Sequence, residues 1–335
     1  MEMSRHINIM ALSIIVFSLL AASCKKEVIV EIDSSRKMLM NAQICASDSV
    51  HRIHLGYSQS DHVDRAPGAT VQIYVDDRLA CQATEVSDSL GYGRMSVYEC
   101  TARLSAGDKV RIVAGNGNET ASAMAAVPAS SGEILGIDTL TVKGNLQMTI
   151  KVKDNDQARN YYRLKLEHVR LSRFSQDGSW SGWTISVSEK LLKNDDDPVL
   201  KGGRLGGTGD NDFIGVGRSS NTYCIFSDRL VSSTGTDITV YVPYSSLRQF
   251  SFPGQFDAVQ VRNYLRVSLV SMDEAEFNYL SILNILAEDD YDAMDYLEQV
   301  TVPSNVEGGA GFVEICSQTS TTFRISDFVM SFNEE

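Results

Sequence analysis

Short runs in which apolar and polar residues alternate recur along most of the chain, and only one stretch carries a clear helical period. In the first half, residues 38–46, 50–58, 69–75, 79–86, 95–103, 109–114 and 119–127 each have strand length and a β-rich composition bounded by Gly, Asn, Asp or Ser. Asp76-Asp77 and residues 115–118, Gly-Asn-Gly-Asn, sit where tight hairpin turns belong. That density of short strands predicts an immunoglobulin-like β-sandwich over residues 24–129. The second half, residues 136–335, opens with a strand at 146–152, continues with one around 160–166, is interrupted by a Gly- and Asp-rich stretch at 194–211, and regains alternation at 259–270. The helical exception follows. Ser271 and Glu274 have capping-box spacing, and Phe277, Leu280 and Leu283, with Tyr279, Ile282 and Leu286, give a broad apolar face that should pack on a sheet. The acidic continuation, Glu288, Asp289, Asp290 and Asp292, should face solvent. The expected fold is mainly β with two domains: the immunoglobulin-like sandwich, then a larger C-terminal antiparallel β domain with one packed helix.

The first residues break this pattern. Arg5 and His6 precede an almost wholly apolar run at 7–22, and Leu20-Ala21-Ala22-Ser23 sets small residues directly before Cys24, in the manner of a lipobox. The run is shorter than the roughly 20 residues a spanning helix needs, and Lys25 and Lys26 follow it. Residues 1–23 therefore read as a lipoprotein signal peptide and Cys24 as the lipidation site, which predicts an exported chain tethered by lipid to a membrane surface. A formal charge of −13 with no basic stripe argues against nucleic acid as a partner.

Several stretches resemble a known family: Asn160-Tyr161-Tyr162-Arg163, Ile225-Phe226-Ser227-Asp228, the 277–283 helix after a long strand, and Ser304-Asn305-Val306-Glu307-Gly308-Gly309-Ala310-Gly311-Phe312. Gly68-Ala69-Thr70-Val71 matches in the first half. On these residues the chain resembles the Bacteroidetes outer-membrane lipoprotein family catalogued as domain of unknown function 4249. The glycine-rich motif is the most specific part, and Phe312-Val313-Glu314 departs from the Phe-Gly usual there. The resemblance implies an outer-membrane lipoprotein, often encoded beside a TonB-dependent nutrient transporter, and supplies no catalytic residue. Physically, glycines around Ala310 permit positive φ or close backbone approach, which suits a fold-specifying turn better than a ligand loop.

Candidate chemistry is sparse. His51 and His54, three apart on a strand, point to opposite faces and cannot share a metal; each, with His62 and His168, reads as a surface or edge residue. There is no Gly-x-Ser-x-Gly elbow, zinc-protease helix or Walker loop, and residues 202–209 read as a flexible glycine loop. No cofactor or metal is called for. Asp195-Asp196-Asp197 and Asp210-Asn211-Asp212 lack EF-hand spacing and read as solvated loops. Trp180 and Trp183 are the candidate ligand-binding pair, an aromatic platform for a sugar or peptide, with burial in the second sandwich as the competing expectation. Among Cys45, Cys81, Cys100, Cys224 and Cys316, the first candidate disulfide is Cys81–Cys100, on adjacent expected strands, with buried free thiols as the equal alternative. In the lineage the resemblance implies, Ser49, Ser89 and Thr139 fit an Asp-Ser/Thr-aliphatic O-glycosylation pattern, with Thr139 placed in the interdomain linker. The expectation is a non-enzymatic, lipid-anchored outer-membrane binding protein, accessory to a TonB-dependent transporter and its nutrient ligand. A structural or adhesive surface lipoprotein, then a hydrolase with scattered carboxylates, are the alternatives.

Overall fold

The computed structural model describes residues 36–59, 62–87, 94–129, 132–154, 158–190, 192, 197–201, 221–248, 257–287 and 302–331. Its first strands are β1 (Met38–Cys45), β2 (Val50–Ser58), β3 (Val63–Arg65), β4 (Thr70–Val75), β5 (Arg78–Val86), β6 (Ser96–Thr101), β7 (Lys109–Asn116) and β8 (Glu119–Ala126). They run β1-β2-β6-β5 and then β5-β4-β7-β8, so β5 serves both layers by pairing with β6 near Thr84–Val86 and with β4 along the rest. This is an immunoglobulin-type strand order. Alternation supplies its core: Ile53 and Leu55 of β2, Ile73 of β4 and Ile112 of β7 are fully buried, each contributing roughly 1.5–3 kcal/mol of transfer free energy. The Tyr98 hydroxyl is buried there, donating to the Ala66 carbonyl at 2.6 Å and accepting from the Ala69 N–H at 2.8 Å. Asp76 and Asp77 take φ values of 48° and 62°, which makes the β4–β5 hairpin turn.

The remaining elements are β9 (Glu133–Val142), β10 (Asn145–Lys153), β11 (Tyr161–Gln176), β12 (Ser179–Trp180), β13 (Thr184–Glu189), α1 (Pro198–Lys201), β14 (Ile225–Ser227), β15 (Thr236–Pro243), α2 (Tyr244–Arg248), β16 (Ala258–Met272), α3 (Glu274–Leu286), β17 (Val306–Glu307) and β18 (Val313–Ser331). A three-stranded antiparallel sheet, β15-β10-β9, packs Met148, Ile150, Ile238 and Val240 against Leu164, Leu166, Leu265 and Val267 of β11 and β16. The two largest clusters of buried apolar residues result: one in the first sandwich, completed by Val306, Val313 and Ile315, and one between the three-stranded sheet and β11–β16. The sheet runs through both. β18 begins parallel to β1, Ala42 opposite Val313 through Cys45 opposite Cys316, and then turns its pairing to β16, antiparallel from Ser317 onward.

The glycine-rich motif makes this continuity. β17 pairs with β8, the Ala310 N–H donates to the Met38 carbonyl at 2.9 Å, and the Met40 N–H donates to the Ala310 carbonyl at 2.9 Å. One segment thereby bridges an edge of each layer of the first sandwich. Gly308 and Gly311 hold φ values of 72° and 114°, and a Cβ on either would collide with the carbonyl oxygen of Thr120 or Met40. Asn305 fixes the exit by exchanging hydrogen bonds with both the N–H and the C=O of Val313.

Three local expectations are corrected. The helix cap is Asp273, whose Oδ1 accepts from the Glu276 N–H at 2.8 Å, because Ser271 is still extended inside β16. Strand β11 continues to Gln176, ten residues beyond the expected end at 166. Thr139 is exposed but lies within β9, paired opposite Met148, and not in a linker.

Candidate functional site

Side chains alternate along β11, so even-numbered Tyr162, Leu164 and Leu166 enter the second core while Arg163, Lys165, Glu167, Val169, Leu171 and Arg173 occupy the opposite face. The register carries this second face across the sheet: Arg163 beside Val270 and Gln318, Glu167 beside Arg266 and Thr322, Val169 beside Tyr264 and Arg324, Leu171 beside Arg262. Its character changes from end to end.

One end lies beneath α3. Phe277 packs on Tyr161 with ring centroids 4.8 Å apart, and Tyr279 stacks on Phe312 at 4.1 Å. Tyr161 donates to Glu274 Oε1 at 2.8 Å, and its hydroxyl is pushed up to about 12 by burial and then by that carboxylate. Glu276 is only 2% exposed, and neither carboxylate oxygen has a hydrogen-bond partner. Burial, then the charges of Glu314 and Asp273, push the Glu276 carboxyl well above its ordinary value, with Arg163 opposing. Glu314 is raised too, chiefly by burial. Arg163 is the cation of this end, bonded to Glu189 at 2.6 Å. From it a charge ladder runs along the face: Lys165 to Glu189 at 3.7 Å and to Glu167 at 3.4 Å, then Arg266 to Glu167 at 2.6 Å. Burial alone would raise Glu167, but the Arg266 hydrogen bond and the Lys165 charge hold it below its ordinary range.

The other end is open. The β11–β12 hairpin, turned by Asp177 and Gly178 at positive φ, brings Trp180 back over this face, and Trp183 enters β13 beside it. The Arg173 guanidinium lies 4.8 Å from the Trp180 ring and 4.9 Å from the Trp183 ring, and Arg262 lies 4.5 Å from the Trp183 ring. Gln260 accepts from Arg173 Nε at 2.8 Å and fixes its plane. Among the described residues neither guanidinium has an acidic partner. Beside the stack, Ile185 is 65% exposed, Val187 49% and Trp180 42%. Two oriented cations, two indoles and an apolar strip on a flat sheet suit a ligand with anionic groups on an apolar or ring framework.

Trp180 and Trp183 therefore are not buried in the second sandwich; their rings are held by arginines at the surface. Sequence reasoning missed Arg173 and Arg262, since both belong to strands whose register was needed to bring them to the tryptophans. Cys81 and Cys100 are joined in a disulfide, with Cα atoms 6.3 Å apart. His51 and His168 are buried rather than superficial: His51 Nε2 lies 3.0 Å from the Ala102 carbonyl and His168 Nε2 lies 2.9 Å from Asn263 Oδ1. Asp197 is buried as the cap of α1, accepting from the N–H groups of Val199 and Leu200 and from that of Thr239. Among the described residues no three His, Cys, Asp or Glu side chains are placed to hold a metal ion. Ser49 is exposed in the β1–β2 turn. Cys24 with its leader, Ser89, Asp195, Asp196, residues 202–212 and the acidic continuation of α3 lie outside the described residues.

No curated protein matches the chain. The solved structures it is similar to include that of a DUF4785 family protein from Legionella pneumophila subsp. pneumophila strain Philadelphia 1, at 11% identity and a TM-score of 0.19, over 69% of this chain and 51% of that one. The chain spans about half the length of that protein, and a likeness this slight carries no argument. The family profile described as "Domain of unknown function (DUF4249)" matches residues 25–322, nearly the whole chain beyond the leader. The chain belongs to the DUF4249 family.

Proposed function

We propose that this is a lipid-anchored binding protein of the outer membrane, tethered through Cys24, which presents the open end of the β11–β16 face to an anionic nutrient ligand or to the transporter that imports it. The observation that carries this reading is the Arg173 and Arg262 pair, stacked on Trp180 and Trp183 with no acidic partner among the described residues, on a chain whose net charge is −13. Oriented cations on an acidic protein favour an anionic partner where they stand. The lipobox before Cys24 supports the anchor, and no helix among the described residues is long and apolar enough to offer a membrane span instead. Accessory service to a TonB-dependent transporter is the role the outer-membrane placement suits, since a binder held beside a channel raises the local concentration of its cargo.

The test is an affinity pull-down of the tagged native lipoprotein from detergent-solubilised outer membranes. Stoichiometric recovery of a TonB-dependent transporter, lost when Arg173 and Arg262 are both replaced by Glu, is the expected result. Recovery of the lipoprotein alone would turn the reading toward an autonomous adhesin or surface structural protein.

A further inference from the structure

Cys45 and Cys316 stand apart from the open end and from the Cys81–Cys100 disulfide. They face each other in register where β1 and β18 run parallel, and with Val270 they form a small buried cluster. They are 5% and 2% exposed, and neither is disulfide-bonded. Opposed residues of paired strands project from the same face, and strands about 4.8 Å apart fall inside the roughly 4.4–6.8 Å range of Cα separations that disulfides span.

The two thiols are not equivalent. Cys45 ends β1, directly before the exposed Ser47-Asp48 turn, and its sulfur lies 3.1 Å from Ser47 Oγ. Hydrogen bonding from Cys316, and secondarily from Ser47, lowers the Cys45 thiol to about 6 despite burial. Cys316 is displaced the other way, by the same hydrogen bond and by burial beside Glu276 and Glu314. One sulfur is therefore set to attack and the other to keep its proton until it resolves the product.

We propose that Cys45 and Cys316 form a second, reversible disulfide that ties the first described strand to the last. The oxidant is a disulfide, either glutathione disulfide or a disulfide-exchange protein of the exported compartment. The Cys45 thiolate attacks one of its sulfurs, forming a mixed disulfide and expelling a thiolate. Cys316 then attacks Cys45 Sγ, its proton passing to the second departing thiolate. The protein gives up two electrons and two protons, and the oxidant becomes two thiols. Relaxed disulfides want Cβ atoms about 3.8 Å apart, closer than neighbouring strands hold them. The link is therefore strained and opens readily to thiols.

The experiment equilibrates the native full-length lipoprotein with a series of oxidised and reduced glutathione mixtures. Samples are acid-quenched, alkylated after denaturation and digested for mass spectrometry without reduction. A Cys45–Cys316 cross-linked peptide pair should rise with the oxidised share, while Cys224 is alkylated throughout. Cys316→Ser should trap glutathione on Cys45, with at least tenfold less adduct on Cys316 in Cys45→Ser. Alkylation of both Cys45 and Cys316 in the wild-type protein at every ratio, excess glutathione disulfide included, would overturn the proposal whether or not the variants fold.

Discussion

The two ends of the outer face of β11–β16 carry opposite burdens. Under α3, Glu276 is buried and Glu314 half-buried with Arg163 as their cation, and both carboxyls are driven toward the neutral form. At the far end Arg173 and Arg262 are stacked on indoles, and no carboxylate among the described residues answers them. The covered end has acids short of counter-charge; among the described residues the open end has cations short of acids. Burial decides what each can do. A sealed charge imbalance acts on folding, because no solvent or ligand reaches it, whereas an exposed one is held cheaply by water and released to a partner.

Removing the cation from the covered end should have the largest effect. In Arg163→Met the buried carboxyls lose their opposing charge and Glu189 loses a 2.6 Å partner. Because Glu189 is partly exposed, the expected loss is about 2–3 kcal/mol, below the usual figure for breaking a fully buried pair. Urea unfolding measures it, and a loss no greater than that of Arg173→Ala would erase the distinction between the two ends. A smaller effect, opposite in sign, belongs to Glu276→Gln. The folded-state carboxyl is raised above its ordinary 4.5, so the folded chain holds a proton the unfolded chain releases. The stability so gained is complete below 4.5 and is lost as pH rises through the folded-state value. The substitution should then stabilise by about 1 kcal/mol or more at pH 8 and change little at pH 4. Equal effects at the two pH values would mean that the charge of Glu276 is not what burial resists.

The two ends were unequally legible in the sequence. Seven of the strands β1–β8, all but β3, could be placed, most of them because one buried face keeps apolar residues at every second position, as in Ile53 and Leu55 or Val110 and Ile112. Along 167–176 that signal fails: Arg170 and Arg173 fall on opposite faces of one strand, so no alternation marks its continuation. Glu276 hid for the converse reason. A glutamate in a first helical turn ordinarily reads as a solvated partner of the cap, and only the packing of α3 on β11 and β14 shows it buried. The open end needed register as well, since Trp183 and Arg262 are distant in sequence and meet only because Leu171 stands between Ile185 and Arg262.

The smallest effect on stability is expected where the effect on surface chemistry is greatest. Trp180 and Trp183 are the only tryptophans in the chain, and both lie on Arg173, so intrinsic tryptophan fluorescence reports on the open end alone. Arg173→Ala removes one stacked guanidinium from each ring at an exposed site, which is worth about 0.5–1 kcal/mol. Its unfolding midpoint should shift correspondingly little. Iodide, an anion drawn to the guanidiniums in the wild type and screened by salt, tests the cations directly. Quenching by iodide should fall in Arg173→Ala and depend less on ionic strength, Arg262 remaining on Trp183, while quenching by neutral acrylamide rises as the rings are uncovered. If both quenchers rise together, the arginine only shields the indoles and contributes no attraction for anions, and the contrast between the two ends reduces to one of burial.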